Sequence, residues 1–451
     1  MTSRFGRGAT LAVALVFLVC NARKVRASPG GQNSTEARKL NQRGVELLEK
    51  KEYGAAITSF REALQQQPEF PEALDNLGKA LEATGHDNEA IVDFDKAIQL
   101  APQNAAVYAD KGLALFHEGK YEESAAAYRE ALQHHKDFSE AQNGLGAALL
   151  HLGKTDEAIR AFRSAVASNP KNADALGNLG SALLSENQPR DALPFLRRAH
   201  SLQPDVPEFL DNYARALEET GQTHEAIAAY HKATVVHPDQ PGAWAGLGDA
   251  YYKAKRYDQA ISAFEKSLTR KPEQPGVLSA LGQAQVEAGH AAEGIESLEK
   301  SLALKPDDFH ALYGLGSAYY AQRDYNKSAD YYSKAYQQKP DFPDSLVGLG
   351  ASQLAANKFG DAIATYQKLI PLKPEDANIR FNSGTAFFNA GKFQQAADSY
   401  REAVRLNPSF AHAHYNLGMA LLRLNDAKAA QVEFAEAHRL DHSLNAPSAA
   451  Q

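Results

Sequence analysis

Proline recurs along this chain at a spacing that few folds could produce. Pro68, Pro102, Pro170, Pro204, Pro238, Pro272, Pro306, Pro340, Pro374 and Pro408 stand 34 residues apart, or twice that where Lys136 takes the missing place. A fixed period of this length marks an array in which each repeat is one supersecondary unit that buries its apolar face against its neighbours. Counting back from each proline divides residues 37–444 into twelve units of 34 residues with no insertion. The length of 451 residues is therefore no guide to a number of globular domains.

Unit 241–274 shows the internal logic most clearly, reading Trp244, Leu247, Gly248 and Tyr251, then Ala260 and Phe264, then Pro272. Leu247 and Tyr251 are four apart and share one helical face. The glycine between them recurs as Gly78, Gly112, Gly146, Gly180, Gly282, Gly316, Gly350, Gly384 and Gly418, with Ala214 as the replacement in unit 207–240. Mid-helix glycine costs roughly 0.5–1 kcal/mol against alanine, so its recurrence predicts a neighbouring backbone where a side chain would sit. In the second helix a small residue precedes an aromatic by four, as in Ala90 and Phe94, Ala158 and Phe162, or Ala396 and Tyr400.

The boundaries agree. Gly85, Gly119, Gly153, Gly221, Gly289 and Gly391, with Asn187, Asn357 and Asn425, suit the left-handed residue that closes a helix. Asp87, Thr155 and Thr223 are placed to cap the helix that follows. Pro71, Pro207, Pro241, Pro275 and Pro343 open first helices, where a missing N–H is harmless. Two units depart from the pattern and are expected to divide the array into more independent blocks. Pro194 falls inside a second helix, at roughly 3 kcal/mol or a kink, and unit 275–308 carries Gln285, Gly294 and Leu298 at consensus positions.

Period, unit length and residue positions together resemble tetratricopeptide repeats over about nine-tenths of the chain. The resemblance implies an all-α, right-handed α-solenoid of about twelve helical hairpins whose first helices line a concave groove for an extended peptide or a partner helix. The Asn-Leu-Gly triplets at 76–78, 178–180 and 416–418 are also similar to the repeats of O-linked N-acetylglucosaminyltransferases, in which first-helix asparagines grip substrate backbone. The matching positions here are Asn76, Asn178, Asn212, Asn382 and Asn416, interrupted by Asp110, Gly144 and the middle units. Only seven residues follow the last unit, so no transferase domain is expected there.

Family geometry turns the second, fifth, sixth, ninth, twelfth and thirteenth residues of each unit toward the groove. In the N-terminal half these positions include Glu72, Asp75, Glu140, Asp174, Glu208 and Asp211. In the C-terminal half they become aromatic, with Tyr252, Tyr313, Tyr320, Phe381, Phe388 and Tyr415. The acids read equally well as a solvated face and the aromatics as hairpin packing. As a binding face, they fit a peptide that is basic toward the first units and apolar toward the last, anchored on rigid rings.

Other function classes find little support. One cysteine, Cys20, allows neither a disulfide framework nor a cysteine-rich metal centre. His134-His135 and the His412, His414 pair lack the spacing of a helix-borne site, so the histidines are expected at the surface with no metal or other cofactor bound. The Gly-Leu-Gly triplets at 246–248, 314–316 and 348–350 fall inside helices and cannot form a phosphate loop. No catalytic constellation is legible, and the chain reads as no enzyme. Removing the five basic residues of positions 1–27 moves the formal charge from −7 to −12, which disfavours nucleic acid.

Those first 27 residues read as an export signal, with Arg4 and Arg7 ahead of an apolar run from Ala9 to Cys20 and cleavage after Ala22 or Ala27. Residues 28–36 read as a polar linker and 445–451 as a disordered tail. The run is short for a membrane span, so membrane association would come only through an uncleaved or lipidated N-terminus. The expectation is an exported, periplasmic or secreted scaffold for other proteins or peptides, in envelope assembly or secretion. The alternative is a regulatory or substrate-presenting partner of a separate enzyme such as a glycosyltransferase. Self-association is possible through the open face of the last helix.

Overall fold

The computed structural model describes residues 32–447, so the N-terminal signal reading, Cys20, the start of the linker and the last four residues lie outside the described residues. The chain divides into two compact units at His237/Pro238. The first holds six hairpins: α1 (Gln32–Glu49) with α2 (Tyr53–Gln66), α3 (Pro71–Glu82) with α4 (Asp87–Leu100), and α5 (Ala105–His117) with α6 (Tyr121–His134). They continue as α7 (Ser139–His151) with α8 (Thr155–Ser168), α9 (Ala173–Ser185) with α10 (Pro189–Leu202), and α11 (Pro207–Glu219) with α12 (Thr223–Val236). The second unit also holds six, from α13 (Pro241–Lys253) with α14 (Tyr257–Arg270), α15 (Pro275–Glu287) with α16 (Ala291–Leu304), and α17 (Phe309–Ala321) with α18 (Tyr325–Gln338). It ends with α19 (Asp344–Ala355) and α20 (Phe359–Leu369), α21 (Ala377–Asn389) and α22 (Phe393–Leu406), and α23 (Ala411–Arg423) and α24 (Ala427–Leu440). Helix α1 begins inside the stretch read as a linker, at Gln32. The boundary between the two units falls neither at Pro194 nor within unit 275–308, the two places expected to divide the array.

Each hairpin turns on one residue at positive φ, and all twelve repeat at the 34-residue period. Nine are the expected glycines and asparagines, while Lys51, Lys255 and Arg323 fill the remaining places at φ of 61°, 58° and 63°. The turn is closed by backbone bonds of the helix-ending type, as where His86 N donates to Leu81 O at 2.9 Å. After it, Asp324 and Asp426 cap α18 and α24 through their side chains, but the three expected caps do not form. Asp87, Thr155 and Thr223 are the first helical residues, one place past His86, Lys154 and Gln222, and no side-chain cap forms there. Asn104, Asn172 and Asp376 do cap first helices α5, α9 and α21. Pro71, Pro207, Pro241 and Pro275 sit in the first turn as expected, and Pro343 stands at the N-cap of α19.

The recurrent mid-helix glycine is explained by a ring rather than by a backbone. A Cβ on Gly78 would lie 2.5 Å from the Phe94 ring, on Gly248 2.5 Å from Phe264, and on Gly418 2.7 Å from Phe434. Each ring comes from the second helix of the same hairpin, sixteen residues on, and is fully or almost fully buried. A backbone neighbour of the expected kind occurs at Gly282, whose Cβ would meet Gly294 O at 2.8 Å. There the smaller Gly294 and Leu298 draw α15 and α16 together. Pro194 is accommodated inside a continuous α10. Pro371 has the larger effect, stopping α20 after 11 residues where the other second helices run 14.

Within each unit every odd-numbered helix packs closely on the next odd-numbered helix, whereas successive even-numbered helices stand further apart and meet only through long exposed side chains, such as Arg61 with Glu89 and Arg129 with Glu157. The first helices therefore form the inner, tighter layer of each curved stack, and their free faces line its hollow side.

Candidate peptide-binding face

The second unit places one apolar residue of every first helix in the same register: Tyr252, Val286, Tyr320, Leu354, Phe388 and Leu422. None is buried, and Tyr320 and Leu422 remain 41% and 37% exposed. The aromatic members each lean on a ring that opens the second helix of their own hairpin. Tyr252 meets Tyr257 at 5.6 Å, Tyr320 meets Tyr325 at 5.3 Å, and Phe388 meets Phe393 at 5.4 Å between centroids. Edge and tilted pairs of this kind fix the ring orientation and leave an opposite face open.

Tyr313, Phe381 and Tyr415 stand two turns earlier and are wedged more firmly. Tyr313 packs edge-on against Tyr332 at 5.3 Å and Phe342 at 5.6 Å. Phe381 lies 4.8 Å from Phe410, and Tyr415 lies 5.4 Å from Phe434. The rings thus pack on one side and leave a half-open surface on the other. Burial pushes Tyr252 up to about 12, with Glu287 adding to it, and raises Tyr313 for the same first reason. Both phenols stay neutral and act as apolar bodies with a polar tip.

The asparagines are placed differently. Asn178 is only 5% exposed, and its amide donates to Asn143 Oδ1 at 3.0 Å. Asn76 donates to Asn41 at 3.1 Å in the same way. Asn416 bonds the hydroxyl of buried Tyr400, while Asn212 and Asn382 are half-buried. At Gly144 and Gly348 the asparagine series breaks because Tyr128 and Tyr332 of the preceding hairpins occupy the space. The series therefore serves mainly to join one hairpin to the next.

Sequence models of the tetratricopeptide repeat match residues 44–85, 71–104, 109–159, 319–380, 384–425 and 411–441. The chain belongs to the tetratricopeptide-repeat family. Between those segments, residues 136–345 match the C-terminal domain of cilia and flagella-associated protein 70. No curated protein matches the chain as a relative. Among solved structures, YrrB, described as a tetratricopeptide protein with an unusual peptide-binding site, is 26% identical over 42% of this chain and 96% of its own, with a TM-score of 0.39. The Cut9–Hcn1 hetero-tetramer of the APC/C is 16% identical over 90% of this chain and 94% of its own, with a TM-score of 0.45. MamA from Desulfovibrio magneticus RS-1 is 21% identical over 38% and 97%, with a TM-score of 0.36. As a tetratricopeptide array the chain is a protein–protein interaction scaffold.

The first unit of this tetratricopeptide protein holds the acids, but they are not a uniform solvated face. Asp75 is paired with Lys79 at 2.7 Å, and Lys79 also reaches Asp110 at 3.0 Å. Asp110 is buried, which raises its carboxyl in spite of the lysine. Burial alone pushes Asp174 up to about 6, and its Oδ1 finds no hydrogen-bond partner among the described residues. Glu72 is exposed, while Glu140, Glu208 and Asp211 are half-buried. The surface expectation for histidines fails at His414, which is 7% exposed, with Nδ1 2.6 Å from Glu433 and Nε2 3.1 Å from the Pro408 carbonyl. Among the described residues no helix is long and apolar enough to cross a membrane.

Proposed function

We propose that this tetratricopeptide protein is a non-catalytic scaffold that takes up an extended or helical peptide along the first helices of its second unit. The observation that supports this is the unbroken apolar register from Tyr252 to Leu422, one half-open side chain per hairpin. Rings held on their inner side lose little entropy on binding and make good anchors. The ligand is apolar at a spacing set by the hairpins. In the first unit a basic segment would relieve the unpaired Asp174 carboxyl. The charge and apolar run of residues 1–27 support export, and hence a role in envelope assembly or secretion. The substrate-presenting alternative is not adopted, since Asn76, Asn178 and Asn416 are already engaged within the protein.

Selection from a displayed library of random peptides about 16 residues long, the length of a segment crossing several repeats, tests the site. Peptides rich in aromatic and aliphatic residues should bind, and Tyr320→Ser with Leu422→Ser should abolish their binding while helicity stays unchanged. Those two positions are chosen over Tyr313, whose removal would also open a gap beside Tyr332 and Phe342. Peptides that bind the double variant as well as the parent would refute the proposed face.

A further inference from the structure

Away from the aromatic row, three ligating side chains converge where the second and third hairpins meet. Glu82 ends α3, Asp87 opens α4 and His117 ends α5. His117 Nδ1 lies 3.6 Å from Glu82 Oε1 and 3.4 Å from Asp87 Oδ1, and one ligating atom of each residue falls within 4.8 Å of the others. N–H···O hydrogen bonds settle at roughly 2.7–3.2 Å, so the three groups face one another without bonding well. A single ring nitrogen also cannot donate to both carboxylates. The two separations from His117 Nδ1 lie close to the edges, about 3.3–3.4 Å, of a tetrahedral shell with ligands at about 2.0–2.1 Å from zinc, and the two carboxylates, within 4.8 Å of each other, need only a small side-chain adjustment to complete it.

The nearby lysines are engaged with other groups as well. Lys79 is shared by Asp75 and Asp110, and Lys120 reaches Asn88 at 3.3 Å and Glu118 at 3.9 Å. Burial first, then the facing Asp110 and Asp87 charges, push Glu82 up to about 8 against the pull of Lys79. Burial is thus the main reason the carboxyl keeps a proton near neutrality. His117 is 37% exposed, whereas Glu82 and Asp87 are 10% and 13% exposed, so one side of the cluster opens to water.

We propose that Glu82, Asp87 and His117 bind one divalent transition-metal ion, zinc by preference, which pins the second hairpin to the third. An imidazole with two carboxylates favours zinc over calcium or magnesium, which prefer all-oxygen shells. The open side admits the ion and leaves room for a water as fourth ligand. The expectation of no metal rested on histidine spacing within one helix, while this triad is drawn from three.

Calorimetric titration of the chelator-stripped full chain with zinc chloride tests the site. One tight site should appear, at least tenfold tighter than calcium or magnesium, and it should raise the melting temperature. His117→Ala and the isosteric Glu82→Gln should each weaken the site tenfold or more, with helicity checked by circular dichroism. Should His117→Ala misfold, Glu82→Gln decides alone. A variant lacking His438 and His442, whose rings lie 5.2 Å apart at the C-terminal end, should keep the site. Zinc binding that survives both triad variants, that vanishes with His438 and His442, or that never occurs would overturn the proposal.

Discussion

Glu82→Gln should make the first unit more stable in alkali and leave it unchanged in acid. Glu82 sits at about 8 in the folded chain against an ordinary 4.5, chiefly through burial and secondarily through Asp110 and Asp87. The folded state therefore holds a proton that the unfolded chain gives up. Stability from that difference is complete below pH 4.5, declines by about 1.4 kcal/mol per pH unit above it, and is lost once pH passes about 8. The span corresponds to a ceiling of about 4–5 kcal/mol, and relaxation around the ionised carboxylate reduces it to about 2–4 kcal/mol. Glutamine keeps the shape of the protonated acid and never ionises. Hydrogen exchange read on peptides covering residues 71–117 is the suitable assay, because a repeat array need not unfold in one step. With chelator present throughout, variant and parent should match at pH 4.5 and diverge steadily to pH 9. Equal protection at pH 9, or a less stable variant there, would refute the reasoning.

The contact between Gly248 and Phe264 can be probed from both sides. Gly248→Ala drives a Cβ into the ring and should cost about 1–3 kcal/mol, measured as lost exchange protection in α13 and α14. Phe264→Ala empties the same space and should cost about 3–5 kcal/mol, enough to expose the 241–274 hairpin to limited proteolysis. Either substitution leaving protection intact would mean that the ring does not set the helix separation.

Most of the fold was legible because a period needs no tertiary information. The prolines, the paired Gly248 and Phe264 pattern and the turn glycines each belong to one unit, and local chemistry alone places them. The contacts that were missed join one unit to the next, at a separation of one period plus one residue. Asn41 with Asn76, Asn143 with Asn178, and Glu82 with His117 are all 35 apart. The fifth residue of one unit meets the sixth of the next, and the twelfth meets the thirteenth. Scanning for polar pairs at that separation would have drawn Asn76 and Asn178 inward and brought His117 to a carboxylate. The caps failed for a different reason. Asp87, Thr155 and Thr223 stand one place inside their helices, whereas Asp324 and Asp426, at the N-cap place itself, do accept from Lys327 N and Ala429 N, so the expected caps were one residue out of register.

The three basic turn residues pose a problem of competing small terms, and Lys255 allows them to be separated. A side chain at φ 58° is strained by about 1–2 kcal/mol, and glycine would remove that strain. Glycine also gains freedom in the unfolded chain, which takes back about 0.5–1 kcal/mol. Lysine has a compensating attraction, for it stands just past the C-terminal carbonyls of α13, where a cation contributes about 0.3–1 kcal/mol at low ionic strength. These terms nearly cancel in dilute buffer. Added salt screens only the last of them, since the Debye length falls to about 3 Å at 1 M. Lys255→Gly should therefore be close to neutral at low salt and stabilising by about 0.5–1 kcal/mol at high salt, read as exchange protection of the 241–274 hairpin. Gly289→Ala, at φ 91° with nothing near its Cβ, provides the reference for strain without charge and should be destabilising by about 1 kcal/mol in both conditions. A salt-independent response at Lys255 would assign the choice of residue to something other than the helix end. A salt-dependent one would explain why Lys51, Lys255 and Arg323, and no acidic residue, replace glycine at this turn.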